Sequence, residues 1–133
     1  MNMRVMVAAL SLSALIAGAA LAHHNAANTY MQGEPVVWNG KVTFVSWDGA
    51  HVMYQVDFQK PDGTLASHQV LGGSPQRLAK RGILKTTVHT GDSVTVAGYL
   101  QPGGIVTPIY LRPMGGAKLY VGYVTSDASF PQR

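Results

Sequence analysis

The fold is decided by the stretch VVWNGKVTFVSW, which runs from Val36 to Trp47. β-Branched and aromatic residues dominate this stretch, so it predicts a long β-strand. Val42, Phe44 and Ser46 alternate with the residues between them, which predicts two distinct faces. Gly40 in the interior indicates a bulge or a sharp bend. A long first strand that bends in its middle can serve both halves of a small barrel.

Further strands follow, separated by turns rich in glycine, proline and aspartate. Pro108 indicates an edge position or a bulge in one of them. Ser74 and Pro75 suit the N-cap and first position of a short helix that reaches Leu78 and ends at Gly82. The predicted strands after the first are His51–Gln59, Leu65–Leu71, a fourth containing Val94, Val96 and Gly98, Ile105–Leu111 and Lys118–Val124.

This order of elements predicts the fold class. Three strands, a short helix and then a hairpin are the order of an OB-fold. We therefore predict an all-β domain with one short helix, a small OB-like barrel of five to six strands. A small β-sandwich is the alternative, and the single helix between the third and fourth strands favours the barrel.

The N-terminal 22 residues have the features of a secretory signal. Arg4 supplies the positive charge, Val5–Leu21 is apolar and uncharged, and Ala20-Leu21-Ala22 places small residues before the cut. An uncleaved anchor is the alternative, but the apolar stretch is short for a span of about 20 residues. We expect a periplasmic or secreted protein with a signal peptide at 1–22, a flexible tail at 23–35, the barrel domain at 36–124 and a frayed tail at 125–133.

Composition narrows the chemistry of the mature chain. The sequence has no cysteine, which excludes disulfides, thiolate metal sites and a cysteine nucleophile. The net positive charge is modest, and export argues against nucleic acid as a partner. We therefore expect no nucleic-acid binding. The basic residues Arg77, Lys80 and Arg81 of the predicted helix are interpreted as a solvated face. No second apolar span follows the signal, so the mature chain is expected to lack a transmembrane segment.

Several short motifs, spread over nearly the whole mature domain, carry a resemblance to one family. They are Ala22-His23-His24, Asn39-Gly40-Lys41-Val42, His51 after its turn, Gly72-Gly73-Ser74-Pro75, Leu78-Ala79-Lys80-Arg81-Gly82 and Gly91-Asp92-Ser93-Val94-Thr95-Val96. In this combination the chain resembles a family of small bacterial exported proteins that is classed as a domain of unknown function. The resemblance implies export and the barrel fold, and it leaves the activity open.

The chain departs from the family pattern at two places. The third strand of such proteins usually carries a tryptophan and a glutamate near its end, where this chain has His68 and Leu71. The turn before His51 usually reads Asn-Pro and here reads Gly49-Ala50. If that glutamate serves a site, this protein has lost or rebuilt it.

The histidines form the strongest candidate site. A cut after Ala22 would free the α-amine of His23 beside its own imidazole, and His24 or His51 could add a further nitrogen. Such nitrogen-rich sets suit Cu(II), Ni(II) or Zn(II), and we predict a copper site formed by His23, His24 and His51. A cut before Ala22 would put His24 third and give another Cu(II) or Ni(II) chelate. The alternative is a polar mature start that binds metal adventitiously.

Two further sets of residues are candidates for binding. Met53 shares the face of His51, and a thioether beside an imidazole suits Cu(I), although a strand methionine usually fills a gap in packing. A non-catalytic module that uses the barrel face for a small molecule, a glycan or a protein is the alternative function. Its candidate residues are aromatic and equally suited to the core: Trp38, Trp47, Tyr54, Tyr99 and Tyr110.

Catalytic machinery is not indicated. The acidic residues are scattered, and Asp48, Asp62 and Asp92 are accounted for by turns. None of the common hydrolase or metalloprotease patterns appears in the sequence. We therefore do not expect an enzyme.

Overall fold

Five strands close into a barrel in the computed structural model, which describes residue 31 and residues 33–126. The strands follow each other around the barrel in the order β1, β2, β3, β5, β4, and all pairs are antiparallel except β3 with β5. The predicted OB-like barrel is confirmed. The elements are β1 (Val36–Ser46), β2 (Met53–Gln59), β3 (Leu65–Leu71), α1 (Pro75–Lys80), β4 (Ser93–Gln101) and β5 (Ile105–Pro113), with a short 3-10 turn at Pro102–Gly104 before β5.

Strand β1 serves both halves of the barrel, as its length and internal glycine predict. Its first part, Val36–Lys41, pairs with β4, and its second part, Gly40–Ser46, pairs with β2. At the overlap, a Cβ on Gly40 would lie 2.5 Å from the carbonyl oxygen of Asp57 and 2.7 Å from the Phe58 ring. Glycine is therefore required at position 40 by the close approach of β2.

The bulge predicted at Gly40 lies further along β1. The register of β1 against β2 shifts between Val42 and Phe44, which leaves Thr43 as the extra residue. Val42 is buried, whereas Phe44 is 54% exposed, and Val45 packs against the core instead. The prediction that Val42 and Phe44 share a face is wrong, because one inserted residue exchanges the two faces of the strand beyond it.

Alternation in β2 gives the barrel its core. Val52, Tyr54, Val56 and Phe58 are buried, and the side chains between them are half-buried, as the sequence predicts. The helix adds Leu78, which is fully buried. Its start is also as predicted, because the Ser74 hydroxyl accepts a hydrogen bond from the Arg77 amide at 3.2 Å. The backbone leaves the helix through Gly82, which has a φ of +76°.

Three predicted strand boundaries change. Strand β2 begins at Met53, because the Val52 backbone pairs with the Gly72–Gly73 loop. Strand β5 extends to Pro113, and Pro108 lies beside a bulge where Gly98 is its partner. The strand predicted at Lys118–Val124 is wrong, since the described residues there make one isolated bridge between Leu111 and Leu119.

The segment after β5 is held by Arg81. Its guanidinium donates to the carbonyl oxygens of Tyr120 and Gly122 at 2.5 and 2.7 Å. Burial and the nearby charge of Arg77 lower the pKa of Arg81, although an arginine stays charged throughout the ordinary pH range. The interpretation of the basic helix as a solvated face is therefore wrong for Arg81, which fastens the C-terminal segment to α1.

Among the described residues, no helix combines the length and apolarity needed to cross a membrane.

We predict that Gly40→Ala lowers the free energy of unfolding by about 2 kcal/mol or more, because the new methyl group meets the β2 backbone. Urea denaturation checks this, with Gly49→Ala as the matched control. A Cβ on Gly49 has no neighbour closer than 3.6 Å, so the control is expected to change stability by less than about 0.5 kcal/mol. Equal stability of the two variants would contradict the close approach.

Candidate metal-binding site

His51 lies at the entrance to β2, where the backbone is fixed by hydrogen bonds on either side of Val52. The Val52 amide donates to the carbonyl oxygen of Gly73 at 2.9 Å, and the Gly72 amide donates to the carbonyl oxygen of Val52 at 2.8 Å. Val52 itself is fully buried. The exposed imidazole of His51 is therefore attached to an anchored backbone.

The orientation of the His51 ring is set by one hydrogen bond. Its Nδ1 lies 3.1 Å from the carbonyl oxygen of Gly72. Because a carbonyl oxygen can only accept, Nδ1 carries the proton in the neutral ring and Nε2 keeps its lone pair. Histidines that ligate metals commonly donate their other ring N–H to a backbone carbonyl in this way. His51 thus has the tautomer and the support of a ligand that binds through Nε2.

The Gly72–Gly73 loop is narrow because three segments meet there. The Gly73 amide donates to the carbonyl oxygen of Val121 at 2.7 Å. A Cβ on Gly72 would lie 3.0 Å from that carbonyl oxygen and 3.1 Å from the carbonyl oxygen of Val52. In the sequence, Gly72 and Gly73 stand directly before the helix N-cap Ser74 and belong to a motif of the family resemblance. Their role in positioning His51 depends on contacts that are distant along the chain.

Met53 lies on the outer side of β2, two residues after His51, and is half-buried. Its strand partners are Ser46 on β1 and Leu71 on β3. Leu71 is 40% exposed and offers no ligand atom from its side chain. The surroundings of His51 on this side therefore hold a thioether and apolar groups.

The other two described histidines, His68 and His89, make their contacts elsewhere. His23 and His24 lie outside the described residues. The ring of His68 packs against Phe58 and Trp38, with centroids 5.5 and 6.1 Å away, and its buried Nδ1 has no hydrogen-bond partner among the described residues.

His89 is exposed, with its Nδ1 3.8 Å from the Asp92 carboxylate. The described part of the chain contains no group of three or more histidine, aspartate or glutamate residues that could hold a metal ion.

The aromatic residues proposed for the barrel face lie mostly in the core. Tyr54 is fully buried and Tyr99 is 4% exposed. Trp38 and Trp47 are half-buried against the core, and the buried indole N–H of Trp47 has no acceptor among the described residues. Tyr110 is half-buried with Lys118 Nζ 4.6 Å above its ring. A surface binding role for Tyr54 is therefore corrected, because its side chain does not reach the surface.

Comparison with known families places the chain. Residues 11–109 match DUF6152, a family of unknown function, and this match covers more than half of the sequence. The chain belongs to DUF6152. No curated protein and no solved structure matches it. The matched range includes β1 to β4, the Gly72–Gly73 loop and His51, so the features around His51 lie within the part shared with DUF6152.

We predict that neutral His51 in this DUF6152 protein is protonated on Nδ1 because the Gly72 carbonyl can only accept. Long-range ¹H–¹⁵N NMR spectra above the histidine pKa distinguish the two ring nitrogens. Exposed His89 serves as the internal reference in the same spectrum. Protonation of His51 on Nε2 would contradict the hydrogen bond and the proposed ligand atom.

Tyr54 generates a prediction about alkaline pH. Burial raises the pKa of its phenol to about 12, and the buried hydroxyl has no partner among the described residues. The fold therefore favours the neutral phenol, and the unfolded chain loses the proton first. We expect stability to be retained below about pH 10 and to fall by as much as about 3 kcal/mol between pH 10 and 12.

The Tyr54→Phe variant separates this effect from that of the other tyrosines. It is expected to lose the Tyr54 contribution to the alkaline decline, and to gain about 1 kcal/mol at pH 7 because an unsatisfied hydroxyl is removed. Tyr123→Phe is the control, since Tyr123 is 53% exposed. Urea denaturation from pH 7 to about 11.5 measures the free energy of unfolding of the two variants and the wild type. An identical pH profile for Tyr54→Phe and the wild type would refute the prediction.

Proposed function

We propose that the protein is an exported metal-binding protein and that copper is its metal. The mature N-terminus at His23 would provide an amine and an imidazole, and His24 or His51 would complete the nitrogen ligands. The supporting observation is the hydrogen bond from His51 Nδ1 to the Gly72 carbonyl oxygen. It leaves Nε2 of an exposed, well-anchored imidazole with its lone pair directed away from that bond.

Covalent reach permits the N-terminal ligands to meet His51. Twelve residues lie between His23 and Val36, and the thirteen steps from one to the other span at most about 45 Å. Strand β1 has eleven residues and measures at most about 36 Å, and His51 follows its far end by one short turn. A tail that returns along the barrel is therefore long enough to bring His23 to His51.

Ligand chemistry favours copper over other metals. The sequence lacks cysteine, so the set is composed of amine and imidazole nitrogens. Such ligands bind Cu(II) more tightly than Ni(II) or Zn(II) by the general order of divalent metal affinities. Met53 would offer a thioether, a soft ligand that suits copper supplied as Cu(I). The surface next to Met53 carries Leu71 in place of a carboxylate, which also makes a hard, oxygen-bound cation a poor fit.

The structure argues against the alternative function, a module that binds ligands on an aromatic face, because most of the proposed aromatic residues are not on the surface. Tyr54 and Tyr99 are core residues, and Trp38 and Trp47 pack against the core. These side chains do not form an exposed platform of the kind that stacks on a sugar ring.

The test uses the secreted protein after native processing, whose intact mass first establishes that it begins at His23. Cu(II) is titrated against a competing chelator, and the nitrogen ligands are counted by electron paramagnetic resonance. We expect one equivalent to bind with a Kd of about 1 µM or below. Three alanines inserted before His23 move both histidines past the third position, and they are expected to weaken binding by about 100-fold because the terminal chelate is lost.

Variants of the barrel histidines assign the remaining ligand. His51→Gln is expected to weaken binding by about tenfold and to remove one nitrogen from the spectrum. His89→Gln, which removes an exposed imidazole that is not a proposed ligand, is the matched control. It is expected to change neither the copper affinity nor the number of nitrogen ligands. Binding that the three inserted alanines and His51→Gln both leave unchanged would mean adventitious capture and would refute the proposal.

A further inference from the structure

A groove of about 650 Å³ crosses the outer side of four adjacent strands, β2, β1, β4 and β5. Its volume lies in the range of small-molecule sites. Its lining combines polar and charged side chains with apolar surface and contains no aromatic residue, in contrast to the aromatic face expected from the sequence. The residues that carry its chemistry are Asn39, Lys41, Asp57, Thr95 and Arg112.

The strand register arranges these residues in two rows. In one row Asp57 of β2 is opposite Lys41 of β1. In the other, Asn39 of β1 is opposite Thr95 of β4, which is opposite Arg112 of β5. Neighbouring strands are about 4.8 Å apart, and Lys41 is two residues along β1 from the row of Arg112, so the backbones that carry the two cations are separated by about 12 Å.

Between Lys41 and Arg112, the side-chain amide of Asn39 supplies further hydrogen-bond donors. The Thr95 hydroxyl donates to Asn39 Oδ1 at 2.9 Å. With its oxygen engaged in this way, the Asn39 amide keeps both N–H groups of Nδ2 as donors. Lysine, arginine and this amide together offer hydrogen-bond donors on both sides of the groove.

The two cations have no charged partners in the described part of the chain. No carboxylate lies within 4.0 Å of Lys41 or Arg112 there, and the ion pairs found are Lys85 with Asp48 and His89 with Asp92. Asp57 is opposite Lys41 in register but makes no ion pair with it. The groove thus carries two positive charges outside any direct ion pair and one carboxylate that can accept hydrogen bonds, a net charge of +1.

We propose that this groove binds a small hydroxylated di- or tricarboxylate. One carboxylate is held by the fork of donors on the Arg112 guanidinium. A second is held by the Lys41 ammonium with help from the Asn39 amide. The ligand hydroxyl donates to Asp57. Two anionic groups match the spacing of the cations, and the single acceptor selects a hydroxylated skeleton over a plain one.

The groove is separate from the proposed metal site. Asp57 of β2 follows His51 by six residues, and extended chain of that length spans about 20 Å. The test is therefore made on metal-free protein, and its outcome is independent of copper binding.

Citrate, malate and succinate are titrated into the full mature protein and followed by ¹H–¹⁵N NMR and calorimetry. We expect saturable binding of citrate with a Kd of about 1 mM or below and shifts centred on the amides of residues 39–41, 93–95 and 112. Malate is expected to bind more tightly than succinate, and Asp57→Asn is expected to remove that difference.

Charge-matched variants identify the contacts. Arg112→Gln and Lys41→Gln are each expected to weaken citrate binding by about tenfold or more. Lys85→Gln removes the same charge from a residue that is exposed and remote from the groove, and it is expected to weaken binding less than about twofold. Equal weakening by all three variants would show general charge attraction and overturn the proposal. So would the absence of saturable binding at about 10 mM citrate.

Discussion

The barrel depends on the close approach of β1 and β2 at Gly40. At this residue β1 changes partner from β4 to β2, and any side chain would collide with the Asp57 carbonyl oxygen. At Gly40 the strand pairs on both sides while it bends, and the inner surface there has room only for the glycine hydrogen. Barrel closure removes the unpaired edges that an open sheet of this size would expose. It also lets a domain without disulfides rely on burial in a single core.

The same constraint shapes the outer surface. Because β1 passes from one half of the barrel to the other, residues of β2, β1, β4 and β5 become neighbours on one side. Lys41 and Arg112, far apart in the sequence, thereby face one groove. A second set of glycines has a comparable role at the other end of β2, where Gly72 and Gly73 admit the Val52 and Val121 backbones. Their close contacts bring the Gly72 carbonyl to the His51 ring.

Prediction from the sequence succeeds where a pattern is local and uninterrupted. The alternation of β2 correctly assigns Tyr54 to the core face, and the Ser74–Pro75 pair correctly begins the helix. In β1 the extra residue Thr43 reverses the faces, and nothing in the composition of the strand marks that position. The segment after Lys118 has strand-like residues but lacks a full partner, and Arg81 holds it through carbonyl groups instead. Pairing partners and register are properties of the whole fold, so the groove could not be predicted.

The chemistry of His51 shows how far a single residue can carry a function. An imidazole whose Nδ1 donates to a backbone carbonyl can ligate a metal through Nε2. One nitrogen alone, however, does not select a metal. Selectivity must come from the groups that accompany it, and Leu71 and Met53 beside it supply no charge. Met53 and Leu71 would offer a bound cation a thioether and no oxygen ligand from their side chains. Nitrogen and thioether donors suit copper better than calcium or magnesium, which is why copper is the metal we propose.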